Sequence, residues 1–165
     1  MKVYFFIISL FFSVLTYGQS NQPILTVNDL ESLFLMNLME KESFLNKLQF
    51  VSNGKMDNDD KSITTFKFEY GSMSTSLGQL VNYSKRDGKE IITYVFSNFN
   101  LYEELKKSFV TNGYTYNGDD DAMKNNGLSY SNSETGVTVR FIIHKVDNII
   151  SNQKDNMYIL TLQNF

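Results

Sequence analysis

The chain has 165 residues, of which 42% are hydrophobic and 20% charged, with no Cys, no Trp, a single Pro and a formal charge of −3. That profile excludes a disulfide scaffold, a collagen-like fibre and a disordered tail. Mild acidity with scattered lysines also argues against nucleic acid as a partner, because a polyanion calls for a basic patch.

The first residues differ from everything after them. Met1 and Lys2 give a positive start, and Val3 to Val14 is apolar apart from Ser9 and Ser13. Thr16 and Gly18 then place small residues three and one before a cut ahead of Gln19. This is the pattern of a secretory signal peptide over residues 1–18, with an apolar run too short for an ordinary membrane span of ~20 residues. Cleavage near Gly18 predicts a secreted or periplasmic protein of 147 residues, and the loss of Lys2 moves its formal charge from −3 to −4. No later stretch reaches ~18 consecutive apolar residues, so no membrane span is expected in the mature chain. With no cysteine in an oxidising compartment, packing alone must stabilise the fold.

From Asn28 to Leu48 apolar residues recur at helical spacings, with a change of phase between Met36 and Met39. Two short helices or one kinked helix are expected, with Asn28 as the N-cap. The period then changes to two. Gln49 to Ser52 reads as a first strand ending at an Asn53-Gly54 turn. Thr64 to Tyr70, Leu80 to Lys85 and Ile91 to Phe96 read as three more, the last two joined through Asp87-Gly88. The order then recurs: a helix from Asn100 with Glu103 as its capping-box partner, then strands at Tyr114 to Asn117, Leu128 to Ser133, Val137 to Val146 and Asn156 to Asn164. At a shift of 66, residues 90–99 (EIITYVFSNF) overlie residues 156–165 (NMYILTLQNF).

The fold class expected is therefore α+β, with two tandem similar units, each a helical segment packed on a four-stranded antiparallel sheet. Residues 19–97 form the first and residues 98–165 the second, and units so small should share a core or a continuous sheet. This element order over Thr26 to Phe165 resembles the β-lactamase inhibitory protein family of secreted enzyme binders, from which the chain departs in lacking cysteines. The resemblance implies an exported binding protein and carries over no individual residue.

Candidates for chemistry are few. His144 is the single histidine, and one His with no Cys makes a zinc site improbable. The acidic run from Asp57 fails the calcium-loop pattern, with Lys61 at position five, Ser62 at six and Phe68 at twelve, so it and Asp119 to Asp121 read as solvated turns. Glu103 and Glu104 point about 100° apart on a helix and make no carboxylate pair. No cofactor is implied.

Strand alternation sends Phe66, Phe68, Tyr94, Phe96, Phe141 and Tyr158 to the side that the helices cover. The opposite face collects Lys67, Glu69, Tyr83, Lys85, Thr93, Arg140, Ile142, His144, Ile159 and Thr161. Tyr and Arg anchor protein interfaces, so the binding candidates are Lys67, Glu69, Tyr83, Thr93, Arg140, Ile142 and His144. The expected function is an exported, non-catalytic binding module with a protein partner. The alternatives are a hydrolase of envelope polymers working through Glu69 and an Asp across the sheet, and a structural envelope component.

Overall fold

The computed structural model describes residues 23–57, 63–71, 78–86, 88–119, 127–148 and 153–164. The expected leader lies outside the described residues, as do most of the two acidic runs. Among the described residues no helix is long and apolar enough to cross a membrane.

Among the described residues three helices and eight strands follow one another: α1 (Val27–Leu35), α2 (Leu38–Lys47), β1 (Val51–Asp57), β2 (Ile63–Tyr70), β3 (Gln79–Arg86), β4 (Lys89–Phe96), α3 (Phe99–Thr111), β5 (Thr115–Asp119), β6 (Leu128–Asn132), β7 (Val137–Asn148) and β8 (Gln153–Asn164). The fold is α+β. All eight strands belong to one antiparallel sheet in the order β1-β2-β3-β4-β8-β7-β6-β5, so two separate four-stranded sheets do not form. The two meanders meet where β4 pairs with β8, leaving β1 and β5 as the edges.

The expected break near Met36 is real: α1 stops there and Asn37 caps α2, its Oδ1 accepting from Glu40 N at 3.1 Å. The other two caps lie two residues earlier than expected. Thr26, not Asn28, caps α1: Asp29 N donates to Thr26 Oγ1 (3.2 Å) and Thr26 N donates to Asp29 Oδ2 (2.9 Å), a reciprocal box that requires an acid three residues after the cap. Asn98, not Asn100, caps α3 by accepting from Leu101 N at 3.2 Å, and this start sets Leu101, Tyr102, Leu105 and Phe109 on the buried face. Glu103 instead accepts from Lys106 Nζ at 2.8 Å.

Asn53-Gly54 is not a turn. β1 runs through it, and the β1–β2 register slips by one residue between Ser52 and Lys55, with Gly54 at φ +90°. Edge strand β5 has a matching irregularity between Tyr116 and Gly118, with Gly118 at φ +110°. A bulged edge is a poor template for pairing with another chain.

The core lies between the helices and one face of the sheet. Leu30 and Leu33 of α1, Leu45 of α2, and Leu101, Leu105 and Phe109 of α3 cover Phe68, Val81, Ile92, Tyr94, Phe96, Val139, Phe141, Tyr158, Leu160 and Leu162. The six aromatic residues expected on the helix side are all on it. Phe141 is ringed by Tyr102, Phe109 and Tyr130 in edge-on contacts with centroids 5.6–5.7 Å apart. The segment before α1 is tied in as well: Leu25 is fully buried, and Gln79 Nε2 donates to Pro23 O (2.9 Å) while Gln79 Oε1 accepts from Tyr94 Oη (2.5 Å).

Candidate functional site

Antiparallel partners share a face, so the register places every strand side chain. One row on the face away from the helices runs Lys67, Asn82, Thr93, Thr161, Arg140 and Ser129 across six adjacent strands. The neighbouring row runs Glu69, Leu80, Val95, Ile159 and Ile142. His144 pairs with Met157 one row further on. Six of the seven expected residues therefore share the open face.

Tyr83 is the exception, and the expectation for it is corrected. It pairs with Phe66 on one side and Ile92 on the other, which puts it on the helix side. Lys85 follows it there, opposite Thr64 and Glu90. The adjacent Leu80 and Val81 make the phase of β3 ambiguous in sequence, and pairing resolves it in favour of Val81 as core. Ile142 is also corrected from exposed to buried. Its exposure is 7% and that of Val95 is 6%, yet both stand apart from the core beneath the helices.

Strands spaced ~4.8 Å apart put Lys67 and Arg140, four strands apart, roughly 19 Å from one another. That separation makes a strip, suited to recognition over an area and too wide for joint chemistry on one atom. Glu69 is held by Lys67 Nζ at 2.5 Å and by the Asn53 amide. The Lys67 hydrogen bond, with its charge and Asn53 adding to it, holds the Glu69 carboxyl below the usual carboxylate range. This is opposite to the raised pKa that a general acid needs.

Arg140 borders a depression of about 220 Å³ between β4, β8 and β7, lined also by Lys89, Thr138, Thr161, Gln163 and Asn164. Lys89, Thr138 and Gln163 were not among the expected site residues, although the same alternation that selected Thr93, Arg140 and Thr161 points to them. No group of three His, Cys, Asp or Glu residues able to hold a metal occurs among the described residues.

The helix side holds a polar cluster that the sequence reading missed. Lys41 of α2 is 2% exposed, its Nζ bonded to Met36 O, 3.8 Å from Glu90 Oε2 and 4.4 Å from the ring centroid of Tyr83. Tyr83 Oη donates to Glu90 Oε1 at 3.0 Å. Burial pushes the Lys41 ammonium below its ordinary value against the pull of Glu90, and burial with the Glu90 hydrogen bond pushes the Tyr83 phenol up to about 12. Its signal in sequence is a lysine four residues before the buried Leu45, on the apolar stripe of α2.

No protein family, curated protein or solved structure matches this chain.

Proposed function

We propose that this is an exported, non-catalytic binding protein that engages a protein partner through the open face of its sheet. The observation that carries this reading is the one-sided helix layer. All three described helices pack on the same face, and the other face presents an apolar row, half-buried at Leu80 and Ile159 and buried at Val95 and Ile142, beside a polar row bearing Lys67 and Arg140. An apolar centre with a polar, Arg-bearing flank is the anatomy of a protein interface. Export rests on the leader pattern of residues 1–18.

In the same reading, residues 19–97 and 98–165 are equivalent units that extend one another's sheet. The mirrored strand order supports it, as do the Asn-Gly irregularities in both edge strands. The shift of 66 makes Tyr94 the counterpart of Leu160, and these two residues are paired directly across the β4–β8 ladder. The units differ in their described helices, two in the first and one in the second.

The test is charge reversal on the polar row. Lys67→Glu with Arg140→Glu is expected to abolish the complex recovered with the exported protein while leaving the melting temperature within a few degrees, because surface changes usually stay within about 0.5 kcal/mol. Loss of the fold in both single variants, or an unchanged complex in the double variant, contradicts the reading.

A further inference from the structure

We propose that Asn117 of edge strand β5 is a self-modification site, which deamidates through a ring closed by Gly118 and aided by the Ser131 hydroxyl. The inference is independent of the open-face reading. Among the described residues three Asn-Gly pairs occur in full, at 53–54, 112–113 and 117–118, and in each the glycine has a positive φ. With no side chain on the glycine, its peptide nitrogen is unobstructed for attack on the preceding asparagine side chain. The bonds that hold each side-chain amide separate the three.

At Asn117 the side-chain oxygen accepts a hydrogen bond from Ser131 Oγ at 3.0 Å. A donor on that oxygen draws electrons away from Cγ and stabilises the negative charge that develops there on attack. The β5–β6 register passes over Asn117, pairing Tyr116 with Tyr130 and Gly118 with Ser129, and leaves it exposed. A Cβ built on Gly118 would meet nothing within 4 Å, so the space beside the closing ring is open. Asn53 sits in the corresponding bulge of β1, but its Nδ2 donates to the Glu69 carboxylate. That bond pushes electrons toward Cγ and opposes attack. Asn112 is opposed twice: its Nδ2 donates to Ser108 O at 2.8 Å, and the attacking nitrogen of Gly113 already donates to Val110 O at 3.2 Å.

The reaction consumes one water and releases one ammonia, with no change of oxidation state. Gly118 N loses its proton to hydroxide and bonds to Asn117 Cγ; the Cγ–Nδ2 bond breaks, and the nitrogen leaves as ammonia with a proton from water. Water then opens either C–N bond of the cyclic imide, restoring the N–H and giving aspartate or isoaspartate. Either product adds a negative charge beside Ser131, whose register partner Thr138 lies on the open face, and isoaspartate also adds a carbon to the backbone of β5.

The test incubates the purified protein at mildly alkaline pH, folded and in denaturant, and follows each asparagine by peptide mapping, with isoaspartate scored by an isoaspartate-specific carboxyl methyltransferase. In the folded protein Asn117 is expected to convert about tenfold or more faster than Asn112, with Asn53 between them, and in denaturant the three rates should converge. Ser131→Ala should slow Asn117 by about three- to tenfold, the worth of one hydrogen bond, and Ser131→Thr, which keeps the hydroxyl, should restore the rate. If Ser131→Ala fails to fold, Ser131→Thr and the ranking in the unaltered protein still decide. Conversion of Asn53 or Asn112 as fast as Asn117 in the fold, the same ranking in denaturant, or an unchanged Asn117 rate in folded Ser131→Ala overturns the inference.

Discussion

The ammonium of Lys41 lies 4.4 Å from the centre of the Tyr83 ring and 3.8 Å from Glu90 Oε2, which pins the second helix to the β3–β4 hairpin through a charge that is almost wholly buried. Removing one partner of such a cluster costs more than the pair contributes, because the remaining groups stay buried without it. Lys41→Ala is expected to lower stability by about 2–4 kcal/mol, since it strips both the charge and its packed stem. Lys41→Met keeps the stem and should cost less. Denaturant unfolding of both variants checks this, and a loss in Lys41→Ala no larger than that of an exposed substitution would show that the cluster holds nothing.

The tyrosines make the fold sensitive to alkali. Burial raises the phenols of Tyr83, Tyr94 and Tyr114 above their ordinary value of 10, Tyr83 to about 12. A group whose pKa is raised on folding contributes stability that is complete below its unfolded pKa and is lost as pH climbs toward the folded one. Lys41 acts in the opposite sense: its depressed folded pKa lets stability rise with pH until 10.5 is passed. Tyr102, also raised by burial, and Lys106, raised by its hydrogen bond to Glu103, act in the same sense as these phenols, so against the Lys41 ammonium the net is a fall above pH 10. The expected result is that tyrosinate absorbance grows cooperatively, in step with loss of the far-ultraviolet signal. Independent titration of all three phenols in an intact fold would contradict it.

Helix starts provide a sharper comparison. Thr26→Ala, Asn37→Ala and Asn98→Ala each remove a cap and should each cost about 1 kcal/mol, within the usual 0.5–2. Asn28→Ala and Asn100→Ala lie inside the first turns of α1 and α3 and should stay within about 0.5 kcal/mol of the natural protein. Thermal or denaturant unfolding decides between the two sets, and equal costs would show that the caps do not set these helix starts.

These comparisons also mark where sequence sufficed. Alternation placed Phe66 and Phe68 correctly because Thr65, Lys67 and Glu69 leave β2 a single apolar phase; it placed Tyr94, Phe96, Phe141 and Tyr158 by the larger apolar residues at every second position, although Val95, Ile142 and Ile159 interleave them. It failed at Tyr83, where Leu80 and Val81 offer two phases and only pairing with Phe66 and Ile92 chooses. Asn53-Gly54 reads locally as a turn because the same dipeptide serves a hairpin and a bulge, and only the position of β2 distinguishes them. The union of the strands into one sheet depends on β4 meeting β8, a long-range pairing that no local pattern reports. Of the candidate site, Lys67, Glu69, Thr93, Arg140, Ile142 and His144 were legible as one face, while the burial of Ile142 is a tertiary property that alternation along one strand does not report.

Site-specific photo-cross-linking in the exported fraction tests the use of the open face most directly. A photoreactive residue replacing Thr93, in the middle of the polar row, is expected to capture the protein partner. The same residue at Glu42, on the solvent side of α2, should capture nothing above background. Capture at Glu42 with none at Thr93 would contradict the reading and move the working surface to the helices.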